Sequence, residues 1–144
     1  MIKESRSHKA QLLVIGSGFA GIAASLFARA RGLTVAQVGH SGAMAFTTGY
    51  LDLLGHDGAG FADDPWQALV RLRENEPRHP LARIAESDIR AALTGFAKTL
   101  GEMGLGYTVP GSHNLLALTP AGTLKPTLAM PLTMEPAIAA RARG

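Results

Sequence analysis

Gly16-Ser17-Gly18-Phe19-Ala20-Gly21 sets three glycines at the G-x-G-x-x-G spacing, directly after the apolar run Leu12 to Ile15 and directly before a segment of helical periodicity. That spacing suits the cradling of a phosphate. Gly16 permits a sharp strand-to-helix turn, Gly18 lets a phosphate approach the backbone, and Gly21 lets the helix pack closely on the strand. The anion would sit at the helix N-terminus, where amides without intrahelical partners and the positive end of the helix dipole favour it. Ser17, Phe19 and Ala20 complete the turn and the candidate set. The plain alternative for these six residues is a tight turn with no ligand, and the surrounding strand and helix patterns weigh against it.

Those patterns are the elements that must hold the glycines in place. Leu12 to Ile15 is a continuous apolar run, the signature of a short strand buried on both faces of a parallel sheet. Phe19, Ile22, Ala23, Leu26, Phe27 and Ala30 then form one helical stripe, and Gly32 stands where a left-handed residue would end it. Thr34 to Val38 is the next strand. So short a strand, helix and strand must join parallel strands by a right-handed crossover. The fold class is α/β, with a Rossmann-like FAD/NAD(P)-binding βαβ unit. A full fingerprint also carries an acid at the end of the second strand for an adenosine ribose. Here Gly39 and His40 occupy that place, and no Asp or Glu occurs between Gly32 and Asp52. Three possibilities follow: a flavin lacking the adenosine half, a ribose bonded by His40 or Ser41, or a phosphorylated ribose as in NADP.

Residues 39–62 are rich in small residues and fit no single regular element, which marks a long functional loop. Asp64, Pro65 and Gln67 announce a helix to about Glu74, with cap, first helical residue and capping-box partner in order. Arg78-His79-Pro80 breaks it. Ser87 is expected to cap a second helix with the stripe Ile89, Leu93, Phe96, Leu100 and Met103, closed by Gly104. From Tyr107 onward, apolar runs separated by Pro110-Gly111 and Pro120-Ala121-Gly122 suggest a small antiparallel hairpin, with Pro126 limiting its last strand to an edge. A further helix begins near Glu135. The two helices form a helical insertion, so residues 1–10 are expected as a solvated tail and residues 11–144 as the N-terminal part of a flavin- or dinucleotide-binding domain that is itself incomplete.

Composition narrows the function. The chain has 144 residues, 47% of them hydrophobic and 17% charged, which suits one globular core. Its net charge is +3, but the basic residues are scattered rather than striped, which argues against nucleic acid as a partner. With no cysteine, thiol redox chemistry and iron–sulfur ligation within this chain are excluded, and no metal site is expected. Any redox role needs a borrowed cofactor. Lys3, Arg6 and Lys9 before the apolar stretch from Leu12 imitate a signal peptide, but glycines at positions 16, 18 and 21 punctuate that stretch.

The segment Ser41-Gly42-Ala43-Met44-Ala45-Phe46-Thr47-Thr48-Gly49-Tyr50-Leu51-Asp52-Leu53-Leu54-Gly55 resembles the flavin-binding B subunit of anaerobic glycerol-3-phosphate dehydrogenase, whose loop ends in a Phe-Ser-Ser-Gly-Ser-Leu-Asp-Leu-Leu pattern. Threonines replace the serines, and Tyr50 is a departure. His79-Pro80-Leu81 and Gly122-Thr123-Leu124-Lys125-Pro126-Thr127 also match, so the resemblance covers most of residues 11–134. It implies a flavin, FAD or FMN, in an oxidoreductase that converts glycerol 3-phosphate to dihydroxyacetone phosphate and passes electrons to quinone. FMN suits the absent acid. The same resemblance lays Thr47, Thr48 and Gly49 along the flavin; an ordinary turn is the alternative. It implies other dehydrogenase subunits as partners, a cytoplasmic location and a membrane reached only through such a subunit. Family members are much longer, so this chain is expected to be the first portion of one, by truncation or a split frame, and inactive in isolation. No residue pair forms a convincing acid–base or nucleophilic constellation, so the catalytic residues are unknown, with Asp52 expected as a turn residue and Lys125 as a solvated strand charge. The competing functional reading is a non-catalytic nucleotide-binding or scaffolding module, or the NAD(P)-binding domain of another oxidoreductase.

Overall fold

The apolar run and the following alternation become two parallel strands, β1 (Leu12–Ile15) and β2 (Val35–Val38), joined through helix α1 (Phe19–Ala30). The computed structural model describes residues 9–40 and 46–136. The chain divides into two units, Met1–Thr47 and Thr48–Gly144.

In the first unit the strands pair in register from Leu12 opposite Val35 to Ile15 opposite Val38. Gln11 and Thr34 lock the start of that register: the Gln11 amide donates to the Thr34 carbonyl at 3.0 Å, and the Thr34 amide donates to Gln11 Oε1 at 2.9 Å. The expectation of a strand buried on both faces is not met. Leu12 and Val14 are half-buried, whereas Leu13 and Ile15 are 57% and 82% exposed. Within this unit α1 packs on the two-stranded sheet, and alternate side chains of β1 are exposed.

Helix α1 also differs in which of its residues are most deeply set. Phe19, Ile22, Ala23, Leu26 and Phe27 of the expected stripe are half-buried and Ala30 is exposed, while Ser25 and Ala28 are buried. The ridge toward the strands is therefore made of small residues, Gly21 and Ser25 among them, which brings the helix close. Its end follows expectation. Gly32 takes a φ of +81°, its amide donates to the Arg29 carbonyl, and the Leu33 amide donates to the Ala28 carbonyl, a Schellman closure.

The second unit holds α2 (Pro65–Asn75), α3 (Glu86–Glu102) and an antiparallel ribbon of β3 (Leu115–Leu118) and β4 (Leu124–Thr127). Asp64 caps α2 as expected, its Oδ1 accepting from the amides of Trp66 at 2.8 Å and Gln67 at 3.0 Å. These two bonds hold its carboxyl below the ordinary aspartate range, the Gln67 amide contributing most. The chain turns through His79 into a short 3₁₀ segment, Pro80–Arg83. Ser87 does not cap α3. Ala85 holds the cap position in extended backbone, and the first turn is instead favoured by the carboxylates of Glu86 and Asp88 near the positive end of the dipole. Gly104 closes α3 at φ +87° as expected, but Met103 lies one residue past the helix and is 67% exposed.

Two apolar clusters support this unit. Trp66, Leu69, Ile89 and Leu128 form the first, with Leu53, Leu54, Leu72, Leu81 and Leu93 packed around them; Tyr50, Ala117 and Met130 form the second. The Trp66 indole donates to the Gly111 carbonyl at 3.0 Å, and the Arg90 guanidinium stands 3.5 Å over its ring. Pro126 lies in β4 opposite Leu116, in a ribbon of two strands where a missing amide is tolerated. No described helix is long and apolar enough to cross a membrane. The expected helix near Glu135 lies largely outside the described residues, as does most of the expected tail.

Candidate functional site

The glycine motif lies where the sequence places it, between the end of β1 and the start of α1, and its glycines do different jobs. Gly16 has a φ of +121°, a region that side chains disfavour, while its amide donates to the Val38 carbonyl at 2.8 Å. A Cβ on Gly21 would collide with the Gly16 carbonyl oxygen, so this glycine sets the contact between helix and turn. Gly18 is neither strained nor crowded. Its φ of −79° suits any residue, and a Cβ there would meet nothing within 4 Å. Gly18 is the N-cap of α1 and has no side chain with which to cap it, and the first helical bond runs from the Ile22 amide to the Gly18 carbonyl at 3.0 Å. With no side chain at position 18, the backbone there fits the close approach that an FAD pyrophosphate requires. Ser17, Phe19 and Ala20 lie in the same junction.

Gln37, which belongs to no motif in the sequence, braces this turn. Its Nε2 donates to the Gly16 carbonyl at 2.8 Å, and its Oε1 accepts from the Ser25 hydroxyl at 2.9 Å. One amide side chain therefore ties strand, turn and helix together. The signal was present in the sequence as a lone polar residue inside the apolar run Val35 to Val38.

At Gly39, one of the two positions that the acid would occupy, a side chain of any kind is crowded out. A Cβ on Gly39 would stand 2.7 Å from the Ser17 hydroxyl oxygen, 3.0 Å from the Ser17 amide nitrogen and 3.1 Å from the Gly16 carbonyl carbon. The glycine turn packs directly on this strand end, leaving no room for a side chain at position 39. His40 is exposed and adjacent; Ser41 lies outside the described residues. Thr47 is exposed at the end of the first unit.

Thr48 and Gly49 belong to the second unit, where the backbone is held closely. Gly49 has a φ of +76°, and a Cβ there would meet Pro131 Cγ at 3.1 Å and the Tyr107 hydroxyl at 3.2 Å. That hydroxyl donates to the Gly49 carbonyl at 2.8 Å. The next residues bind like an added strand: the Leu51 amide donates to the Ala129 carbonyl at 2.8 Å, and the buried Thr127 hydroxyl donates to the Leu51 carbonyl at 3.2 Å. Tyr50, the departure from the family pattern, is buried and donates to the Leu118 carbonyl at 2.7 Å. Burial raises both tyrosine hydroxyls above their ordinary range. Asp52 and Lys125, expected as separate surface residues, pair at 2.5 Å with both side chains partly exposed. The two motifs that carried the family resemblance thus meet through this ion pair. Tyr107 was missed because nothing around it in sequence announces a partner 58 residues away. Among the described residues, no cluster of His, Asp or Glu is placed to hold a metal ion.

Residues 11–142 match the FAD binding domain family, and the chain belongs to that family. Of the two flavins the sequence suggested, FAD is the one this membership supports. The resemblance carried by residues 41–55 also stands: the chain is similar to the B subunit of anaerobic glycerol-3-phosphate dehydrogenase from Vibrio cholerae, 33% identical over 118 residues, covering 79% of this chain and 27% of the relative. The same subunit from Yersinia enterocolitica is 32% identical over 126 residues, 85% of this chain and 30% of the relative, and that from Aliivibrio fischeri is 29% identical over 118 residues, 80% and 26%. The chain spans between a quarter and a third of the length of these relatives. No solved structure matches it.

Proposed function

We propose that this chain supplies the phosphate-binding part of an FAD-dependent oxidoreductase that converts glycerol 3-phosphate to dihydroxyacetone phosphate and passes the electrons toward quinone. The observation carrying this reading is the β1–α1 junction, where Gly18 puts no side chain over the start of a helix and is not required by packing, while Gly16 and Gly21 are consumed by the fold. In this reading the amides around Gly18 hold the cofactor's pyrophosphate, Gln37 keeps the turn in shape, and exposed His40 lies next to the adenosine ribose in place of the usual acid. Bound FAD would supply the two-electron chemistry. This chain's part is to bind and orient it; the acid–base groups and much of the substrate contact come from elsewhere in the assembly. Other dehydrogenase subunits, one of them at the membrane, are the partners this reading calls for. Similarity to the dehydrogenase subunits named above supports the substrate assignment.

The test is spectroscopic. Purified protein, or apoprotein incubated with FAD and desalted, is expected to carry the oxidised-flavin absorption bands, and its assembled complex is expected to bleach anaerobically when glycerol 3-phosphate is added. A protein that stays colourless after incubation with FAD would refute the cofactor reading. A flavin-loaded complex that glycerol 3-phosphate leaves oxidised would refute the substrate.

A further inference from the structure

A small hairpin in the second unit contains a peptide bond that can rearrange. His56 bridges Phe61 across it, and the Asp57 amide donates to the Gly60 carbonyl at 3.4 Å, so residues 57–60 form its turn. Asp57 is the only aspartate or asparagine in the sequence that precedes a glycine. A glycine has no Cβ to shield its amide nitrogen, which is then able to attack the side-chain carbonyl carbon of the aspartate before it. Here Gly58 is exposed at a φ of +88°, a Cβ on it would meet nothing within 4 Å, and among the described residues its amide donates to no acceptor. The nucleophile is unshielded and unspent.

The carboxyl that it would attack is held. Asp57 Oδ1 accepts from the Ala59 amide at 3.1 Å, and Oδ2 accepts from Arg71 Nη2 at 2.6 Å. The Ala59 amide first, and Arg71 after it, keep this carboxyl below the ordinary aspartate range. Ring closure needs the neutral acid, because its hydroxyl must leave as water, and it needs Cγ free to turn toward the Gly58 nitrogen. Arg71 reaches the hairpin from α2, and both partners line a cleft of about 210 Å³ together with Leu54, Ala68 and Leu72.

We propose that the Asp57–Gly58 bond is the isoaspartate-forming site of this chain, and that Arg71 slows the rearrangement by holding the carboxylate. The Gly58 nitrogen bonds to Asp57 Cγ, its proton and the carboxyl hydroxyl leave as water, and a five-membered imide forms. Water then opens the imide at either carbonyl. Opening at the α-carbonyl routes the main chain through Cβ and Cγ, lengthens the turn by one methylene and leaves the α-carboxylate free. That carboxylate springs from a different carbon, so the tie from Arg71 to the hairpin is lost.

The test follows isoaspartate over weeks at physiological temperature and pH in folded wild type, Arg71→Gln and Arg71→Lys, and in wild type kept unfolded in urea. Isoaspartyl methyltransferase labelling counts the product, mass spectrometry of proteolytic fragments locates it, and an unfolding curve shows that each variant is folded. Product is expected at residue 57, more slowly in folded wild type than in the unfolded chain. An exposed ion pair is a modest restraint, so Arg71→Gln is expected to form it about two- to fivefold faster than folded wild type, with Arg71→Lys in between. If Arg71→Gln does not fold, the comparison of Arg71→Lys with wild type decides. A folded Arg71→Gln protein that rearranges no faster than wild type, or folded wild type that keeps pace with the unfolded chain, would overturn the role of Arg71. An unfolded chain that forms no isoaspartate at residue 57 would overturn the site itself.

Discussion

Replacing Gly18 by alanine separates ligand binding from folding at a single atom. The residue sits at φ −79°, ψ 179°, which alanine adopts without strain, and the new methyl would find no protein atom within 4 Å. Alanine is a poorer N-cap than glycine, a cost of up to about 1 kcal/mol, and a stiffer unfolded chain returns roughly 0.4 to 1 kcal/mol of it. Stability should therefore stay within about 1 kcal/mol of wild type. The methyl projects instead into the space that a phosphate must enter to reach the helix amides. A hydrogen bond to a charged group contributes about 1.5 to 3 kcal/mol, so each amide–phosphate bond lost weakens FAD binding at least roughly tenfold. Quenching of flavin fluorescence during titration reads the affinity, and urea unfolding of the apoprotein reads the stability. Gly18→Ala protein that binds FAD as tightly as wild type would refute the placement of the phosphate; one that no longer folds would refute the claim that this glycine is spared by the fold.

Gly21→Ala should behave in the opposite way. Its methyl would collide with the Gly16 carbonyl oxygen, and overpacking of roughly 1 to 3 kcal/mol outweighs the roughly 1 kcal/mol that alanine gains in a helix, so the apoprotein itself should lose stability in urea. Leu69→Ala empties the centre of the first apolar cluster, where the side chain is fully buried, and should cost about 2 to 5 kcal/mol by the same measurement. Asp64 accepts two amide bonds that hold its carboxyl below the ordinary range, so its contribution is present above that range and is lost as the pH falls through it toward the lower folded value. Asp64→Ala should cost about 0.5 to 2 kcal/mol near neutral pH and flatten the acid limb of a stability profile measured by urea unfolding.

Local chemistry made the first unit legible. A short apolar run, a helix stripe and glycines at fixed offsets are all short-range signals, and they placed β1, α1, β2 and the Gly32 closure within a residue. Asp64 and Gly104 were legible for the same reason, since a cap acts on its own helix end. What escaped depends on distance along the chain. Gln37 acts 21 residues from Gly16, Tyr107 acts 58 residues from Gly49, and Lys125 pairs with Asp52 across the second unit. Ser87 misled because capping residues compete, and here the chain entered the helix two residues earlier, at Ala85, with Glu86 and Asp88 supplying the favourable charge. The stripe on α1 misled in a different way: apolar periodicity finds the side of a helix that leaves water, whereas the closest approach to the strands is made by Gly21 and Ser25, residues chosen for size.

The glycines of the motif therefore carry unequal information about function. Gly16 answers to its own backbone dihedral, Gly21 to the Gly16 carbonyl, and Gly39 to Ser17, so each would be required whether or not a ligand ever bound. Gly49 answers likewise to Tyr107 and Pro131. Gly18 alone has no internal reason to lack a side chain. On the proposed reading, a chain that kept the other glycines but filled position 18 would retain the βαβ unit and lose the phosphate, so the spacing as a whole reports the fold, and within the motif position 18 is the one that speaks for a ligand.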